Sequence, residues 1–250
     1  MKTAVTISEV LDQQEAIVQK AIMLQSRAAY FAVLYRKMTI AVQHAIANNQ
    51  FEDNKRMERL IVNFANLYLQ AWNGFTNKQT ICNAWQTIFP ACENKKLIVL
   101  QHLMLGINTH INLDLAKAAV QTCPGDTIFG LKNDFEKINE IIASLAQQVQ
   151  TTLEKIWWPL KLLTDITNKK HEAVLNFSIS NARKASWANA IALSLLDAPA
   201  KAAHIVIMEE MVNGVSRKII NPGGFTQFIL KPVLWMEPKE VRRIIDLLQK

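Results

Sequence analysis

The chain has 250 residues, half of them hydrophobic and 20% charged, with seven glycines and seven prolines. This excludes a disordered chain and speaks against a turn-rich β protein. The formal charge of +7 is spread along the sequence, its densest group being Lys239, Arg242 and Arg243, so solvated helix faces account for it and nucleic acid is not an expected partner.

The length is at the upper end of what one hydrophobic core supports. With no linker-like stretch, the expectation is a single all-α domain over 1–250. The amino terminus reaches Glu9 and Glu15 without the apolar stretch of a secretory signal. No apolar run nears the ~18 residues of a membrane span. Cys82, Cys92 and Cys123 form no CxxC pair, which fits packing rather than disulfides or a thiolate zinc site. A cytoplasmic chain without a transmembrane segment is expected.

In chain order, Thr6 and Glu9 have capping-box spacing, and Val10, Ile17, Ala21, Leu24, Phe31, Leu34, Met38 and Val42 recur at helical intervals up to Asn48-Asn49. This predicts one long helix or two in line. Phe51-Glu52-Asp53 opens another, whose stripe of Met57, Leu60, Ile61, Phe64, Leu67, Tyr68 and Ala71 ends at Gly74 and should pack on the first. Thr80 can cap a short helix bearing Trp85 and Phe89 and stopped by Pro90. Cys123-Pro124-Gly125-Asp126 breaks the chain before a helix from about Phe129 to Trp157, ended by Pro159. After the polar stretch Thr167 to Glu172, an alanine-rich helix runs from about Ser178 to Leu196, and Pro199 starts one through about Ser216. Asn221-Pro222-Gly223-Gly224 is a turn, and Pro238 starts a last amphipathic helix. Eight to ten helices folded as a bundle are expected.

Between Cys92 and Cys123 lies the segment that carries the chemistry, Lys95 to Gln121. From Leu97 to Ala119 its only charges are Asp114 and Lys117, so it reads as a buried central helix. At ~100° per residue, His102, Gly106, His110 and Asp114 follow one stripe, with Gln101, Leu105, Asn108, Asn112 and Leu115 roughly opposite. Buried His, Asn and Asp must find partners, so a polar network is required. His110 and Asp114, four apart, can ligate one divalent metal or form a carboxylate-oriented histidine. Further donors would have to come from other helices, with His44, Asp53, Asp134, His204 and Glu209 as candidates. Gly106 points to close approach of a second helix, or to room for a ligand. Arg183, one turn before Trp187, can hold a buried carboxylate such as Asp114 or Asp134, clamp an anionic substrate, or lay its stem along Trp187 with its head in water. Asp134 reads as a cap and Asn139 as an exposed amide. No GxGxxG, GxxxxGK[ST], HExxH, GxSxG or EF-hand loop is present.

The stretch Gln101-His102-Leu103-Met104-Leu105-Gly106-Ile107-Asn108-Thr109-His110-Ile111-Asn112-Leu113-Asp114-Leu115 resembles the LLGMNAHINLDL-type segment of a family of uncharacterised bacterial proteins. The likeness extends to Phe51-Glu52-Asp53, Phe64-Ala65-Asn66-Leu67-Tyr68, Asp134-Phe135 with Asn139, and Arg183 with Trp187; Thr109 stands where a small residue is expected. It implies a fold more than a function. A weaker, local likeness is to the helical zinc-dependent phospholipase C and nuclease group, through Leu105-Gly106, His110 and Asp114. That group's multi-histidine ligand set is not recognisable here, so the likeness implies at most one or two metals.

Two functions are expected from this. One is metal-assisted hydrolysis of a phosphoester or lipid-like substrate. His110, Asp114 and Asp53 would hold a divalent zinc, iron or manganese ion, His102 and Asp134 would complete the shell or orient a metal-bound water, and Arg183 would hold the substrate's anionic group. The other is a non-enzymatic binding or scaffold protein, in which the polar network fixes the core and an apolar cavity takes a lipid-like or isoprenoid-like small molecule. Cyclase or lyase chemistry would need an acidic cluster such as DDxxD, which is missing.

Overall fold

Thr6 starts the first helix as its spacing demands: its Oγ1 accepts the Glu9 N–H at 3.2 Å, while the Glu9 carboxylate accepts the Val5 N–H at 2.6 Å. The computed structural model describes residues 2–142 and 170–249, and among these every regular element is a helix. Helix α1 (Ile7–Met23) does not continue in line. Gln25 takes a φ of 52°, and α2 (Ala28–Ala47) folds back along α1. The cross-links are Gln14 to Thr39 and Arg36 to Glu15, each at 3.0 Å, and they run antiparallel. A hairpin replaces the expected rod, because unbroken apolar periodicity is compatible with either.

Helix α3 (Asn54–Thr76) is capped by Asp53, whose Oδ1 accepts the Arg56 N–H at 2.9 Å. Its stripe packs on α1 and α2 as expected. Helix α4 (Asn83–Ala91) starts after an extended Cys82 rather than at Thr80, with Pro90 in its last turn.

The central segment is not one uninterrupted α-helix. Helix α5 (Val99–Thr109) passes into a π-helical turn, His110–Asp114, and then into α6 (Leu115–Thr122). At the end of the wide turn, Leu115 N–H bonds the His110 carbonyl five residues back. The segment is buried between α2, α3, α4 and the later helices.

A 3-10 stretch, Gly125–Leu131, replaces the expected start at Phe129, and helix α7 covers 132–142. The expected end at Trp157 and the break at Pro159 lie outside the described residues. Helix α8 (Lys170–Leu195) begins within the stretch expected to be a polar break. Asp197 caps α9 (Ala198–Ile220), accepting the Ala200 N–H at 2.9 Å, with Pro199 in the first turn. Gly223, at φ 86°, makes the turn into α10 (Gly224–Met236), a helix the pattern did not single out. The last helix, α11 (Val241–Gln249), buries Val241, Ile244, Ile245 and Leu248 and packs on α2. Buried apolar side chains form one continuous cluster through these elements.

Candidate functional site

The two faces of the central segment do separate. On one, Gln101 donates to the Ile219 carbonyl at 2.6 Å, and Asn108 donates to the Val212 carbonyl and to Ser216 Oγ at 3.0 Å each, tying α5 to α9. Asn112 donates to Asn108 Oδ1 at 3.0 Å. On the other face Gly106 meets Phe31 of α2, so close helix approach is what the glycine serves.

His110 and Asp114 occupy the two ends of the π turn, with Nδ1 and Oδ2 3.0 Å apart. The same oxygen accepts the Trp85 indole N–H, also at 3.0 Å. An indole nitrogen can only donate. Asp114 Oδ2 is therefore an acceptor, which places the imidazole proton on Nδ1 and leaves a lone pair on Nε2. Burial lowers the His110 pKa against the hydrogen bond and charge of Asp114, so the ring is neutral. Nε2 is buried and has no hydrogen-bond partner.

Aromatic rings box the imidazole. Phe64 stacks on it with centroids 3.7 Å apart, Tyr35 stands edge-on at 4.3 Å and Phe31 at 5.7 Å. Burial and the nearby Asp114 charge raise the Tyr35 pKa well above its usual value, so that hydroxyl stays protonated. These rings come from α2 and α3, whose i, i+4 pairs Phe31/Tyr35 and Phe64/Tyr68 point the same way.

Beside His110 lies a cavity of about 120 Å³, lined among others by Leu34, Met38, Leu60, Leu103, Ile111 and Ile138. Its polar wall includes His110 and Arg183. Arg183, on α8, is 4% exposed. It donates from Nε to Asn139 Oδ1 and from Nη2 to the Phe135 carbonyl. Its guanidinium carbon stands 4.4 Å over the Phe135 ring centroid. The head is thus neither in water nor on Asp114 or Asp134, which corrects two of the expectations for it. Burial lowers its pKa to about 10, so it remains a cation at neutral pH.

The other expected site residues lie elsewhere. Asp134 is buried at the start of α3, where it accepts the Glu52 N–H at 2.7 Å, the Asp53 N–H at 3.2 Å and Arg56 Nη2 at 2.6 Å. It caps, but it caps another element than its own. Asp53 is occupied as the α3 cap. Phe64, which stacks on His110, is about 12 Å further along α3 than Arg56 at the α-helical rise, so Asp53 and Asp134 do not converge on His110. His102 is buried edge-on to Tyr30 at 5.9 Å. It faces a separate void of about 20 Å³, also lined by Arg27 and Glu237. Burial, then the Arg27 charge, lowers its pKa to about 3. His44 is exposed, His204 pairs with Asn189 at 3.0 Å, and Glu209 accepts the Asn83 N–H at 3.0 Å. Among the described residues no three His, Cys, Asp or Glu side chains gather as a metal-holding group.

Trp85, Phe64 and Tyr68 were absent from the expected site. The paired aromatics on neighbouring stripes were the available signal for two of them, and nothing local marks Trp85 as a partner of Asp114.

Fold and site together define an all-helical protein with a carboxylate-backed histidine beside an apolar cavity. Residues 7–222 match the model of a family of unknown function, DUF5995, and the chain belongs to that family. Comparisons with curated proteins and with solved structures returned no match. No helix among the described residues is long and apolar enough to cross a membrane.

Proposed function

We propose that this chain binds a small apolar molecule in the cavity next to His110, and that the molecule presents one hydrogen-bond donor to Nε2. The observation that carries this is the buried, unpartnered Nε2 of a neutral imidazole whose residue lines a largely apolar cavity. An unmet buried acceptor costs about 1–3 kcal/mol, which a ligand O–H would recover. A volume of about 120 Å³ is close to the ~150 Å³ that holds a benzene ring. The fitting class is therefore a phenol-sized ring or a short alkyl segment of a lipid-like molecule.

The test is calorimetric titration of 4-ethylphenol against 4-ethyltoluene, which has the same shape and no donor. The phenol should bind about tenfold more tightly, as one recovered hydrogen bond of roughly 1.4 kcal/mol requires. Absence of binding by both refutes the cavity reading.

A divalent zinc, iron or manganese ion on His110 Nε2, serving hydrolysis, is the second reading. It is favoured by the carboxylate behind Nδ1, the arrangement that orients histidine ligands. Among the described residues Asp53 and Asp134 do not reach it, so of the expected ligands His110 and its neighbour Asp114 remain there. Mass-spectrometric metal analysis of gently purified protein, beside a His110→Ala variant, separates the two readings: stoichiometric metal lost in the variant supports the ion.

A further inference from the structure

A buried cation needs a counter-charge. Arg183 is 4% exposed, and among the described residues no carboxylate pairs with it. Among the described residues its partners are an amide oxygen, a backbone carbonyl and an aromatic face, all of them neutral. A guanidinium has five N–H donors, of which Asn139 and Phe135 engage two. Burying a charge without an opposite partner is costly. These same neutral contacts fix the guanidinium in orientation, and Arg183 is one of the residues that line the cavity.

We infer that Arg183 is an anion subsite of the cavity, and that the ligand is a small amphiphilic carboxylate whose hydrocarbon part fills the space between Arg183 and His110. This rests on the cavity reading above and adds the charge to it. A carboxylate matches the planar fork of the guanidinium and supplies the missing negative charge. The apolar lining, with Leu60, Leu103 and Ile138, would desolvate the ion pair and strengthen it. The Asn139 and Phe135 contacts hold Arg183 in place without neutralising it, which leaves the charge for the ligand.

The probes are 3-(4-hydroxyphenyl)propanoate and its neutral amide, titrated into the full chain at low ionic strength with 4-ethylphenol as reference. The acid should bind at least tenfold more tightly than the amide, and added salt should narrow the gap. In an Arg183→Gln variant the acid should lose that advantage while 4-ethylphenol still binds. The acid–amide comparison uses the unaltered protein, so it decides the matter even where R183Q fails to fold. An acid no tighter than the amide, with 4-ethylphenol bound, overturns the anion subsite and leaves the cavity reading intact. An advantage that survives in folded R183Q also overturns it. If neither the acid nor the two neutral compounds bind, both proposals fall.

Discussion

Gly106 and Phe31 meet so closely that a Cβ built on the glycine would stand 2.3 Å from Phe31 Cγ and 2.8 Å from Phe31 Cβ. The second distance matters most, because a Cβ is anchored to its backbone and cannot swing away. Alanine gains about 1 kcal/mol over glycine in a helix interior, but forcing an extra carbon into a filled core costs about 1–3 kcal/mol. Gly106→Ala is therefore expected to lower the urea midpoint, and Phe31→Leu in the same chain to restore part of it. A higher midpoint for Gly106→Ala alone would show that the two helices are not in contact there.

Trp85 and His110 share one oxygen of Asp114. Trp85→Phe keeps an aromatic side chain but removes the donor and part of the buried indole, and should cost at least about 1–3 kcal/mol in denaturant unfolding. Combined with His110→Leu the losses should not add, with a coupling of at least about 0.5 kcal/mol. Strict additivity would mean that the three side chains do not act as a unit.

Asp134→Ala strips the acceptor from two backbone N–H groups and from Arg56 at once. Breaking a buried ion pair of this kind costs about 3 kcal/mol, and the melting temperature should fall accordingly. The same loss would follow chelator treatment of the unaltered protein if Asp134 acted through a metal. The hydrogen bonds described above predict no effect of a chelator on the Asp134 contribution.

His102 and His110 are both shifted down, His102 to about 3. An unfolded imidazole takes up its proton near pH 6.5, whereas the folded ones resist it. The unfolded state thus binds more protons as the pH falls. The stabilisation from keeping these rings neutral is complete above about pH 6.5 and is lost progressively below it, by up to about 1.4 kcal/mol per pH unit for each ring. For His102 that loss continues toward its folded value. Urea unfolding between pH 7.5 and 4.5 should show it, with a shallower slope in His102→Leu. Equal slopes in the two proteins would contradict a buried neutral His102.

How much of this was legible depends on the distance between partners along the chain. The caps at Thr6 and Asp53, the glycine turn at Gly223 and the burial of the central segment all follow from residues within a turn of one another. So does the division of Gln101 and Asn108 from His102, Gly106 and His110, which helical spacing fixes. The pairing of His110 with Asp114 survives even though the turn between them is π-helical, since both ends remain on one side. The width of that turn had no local marker.

Tertiary structure alone decided the rest. Trp85 is 29 residues from Asp114, and Glu52 is 82 from Asp134. At such separations a side chain's partner is selected by how helices stack, and a carboxylate looks the same in sequence whether it meets a metal, an arginine or a helix end. Asp134 thus went to the start of α3, and Arg183 to Phe135 and Asn139. The cavity, too, exists only where α2, α3, α5, α7 and α8 fail to close completely on one another. Periodicity and capping chemistry determined that this chain is helical and which faces are buried. Packing determined which buried polar atoms meet, because that depends on space between elements and not on spacing within them.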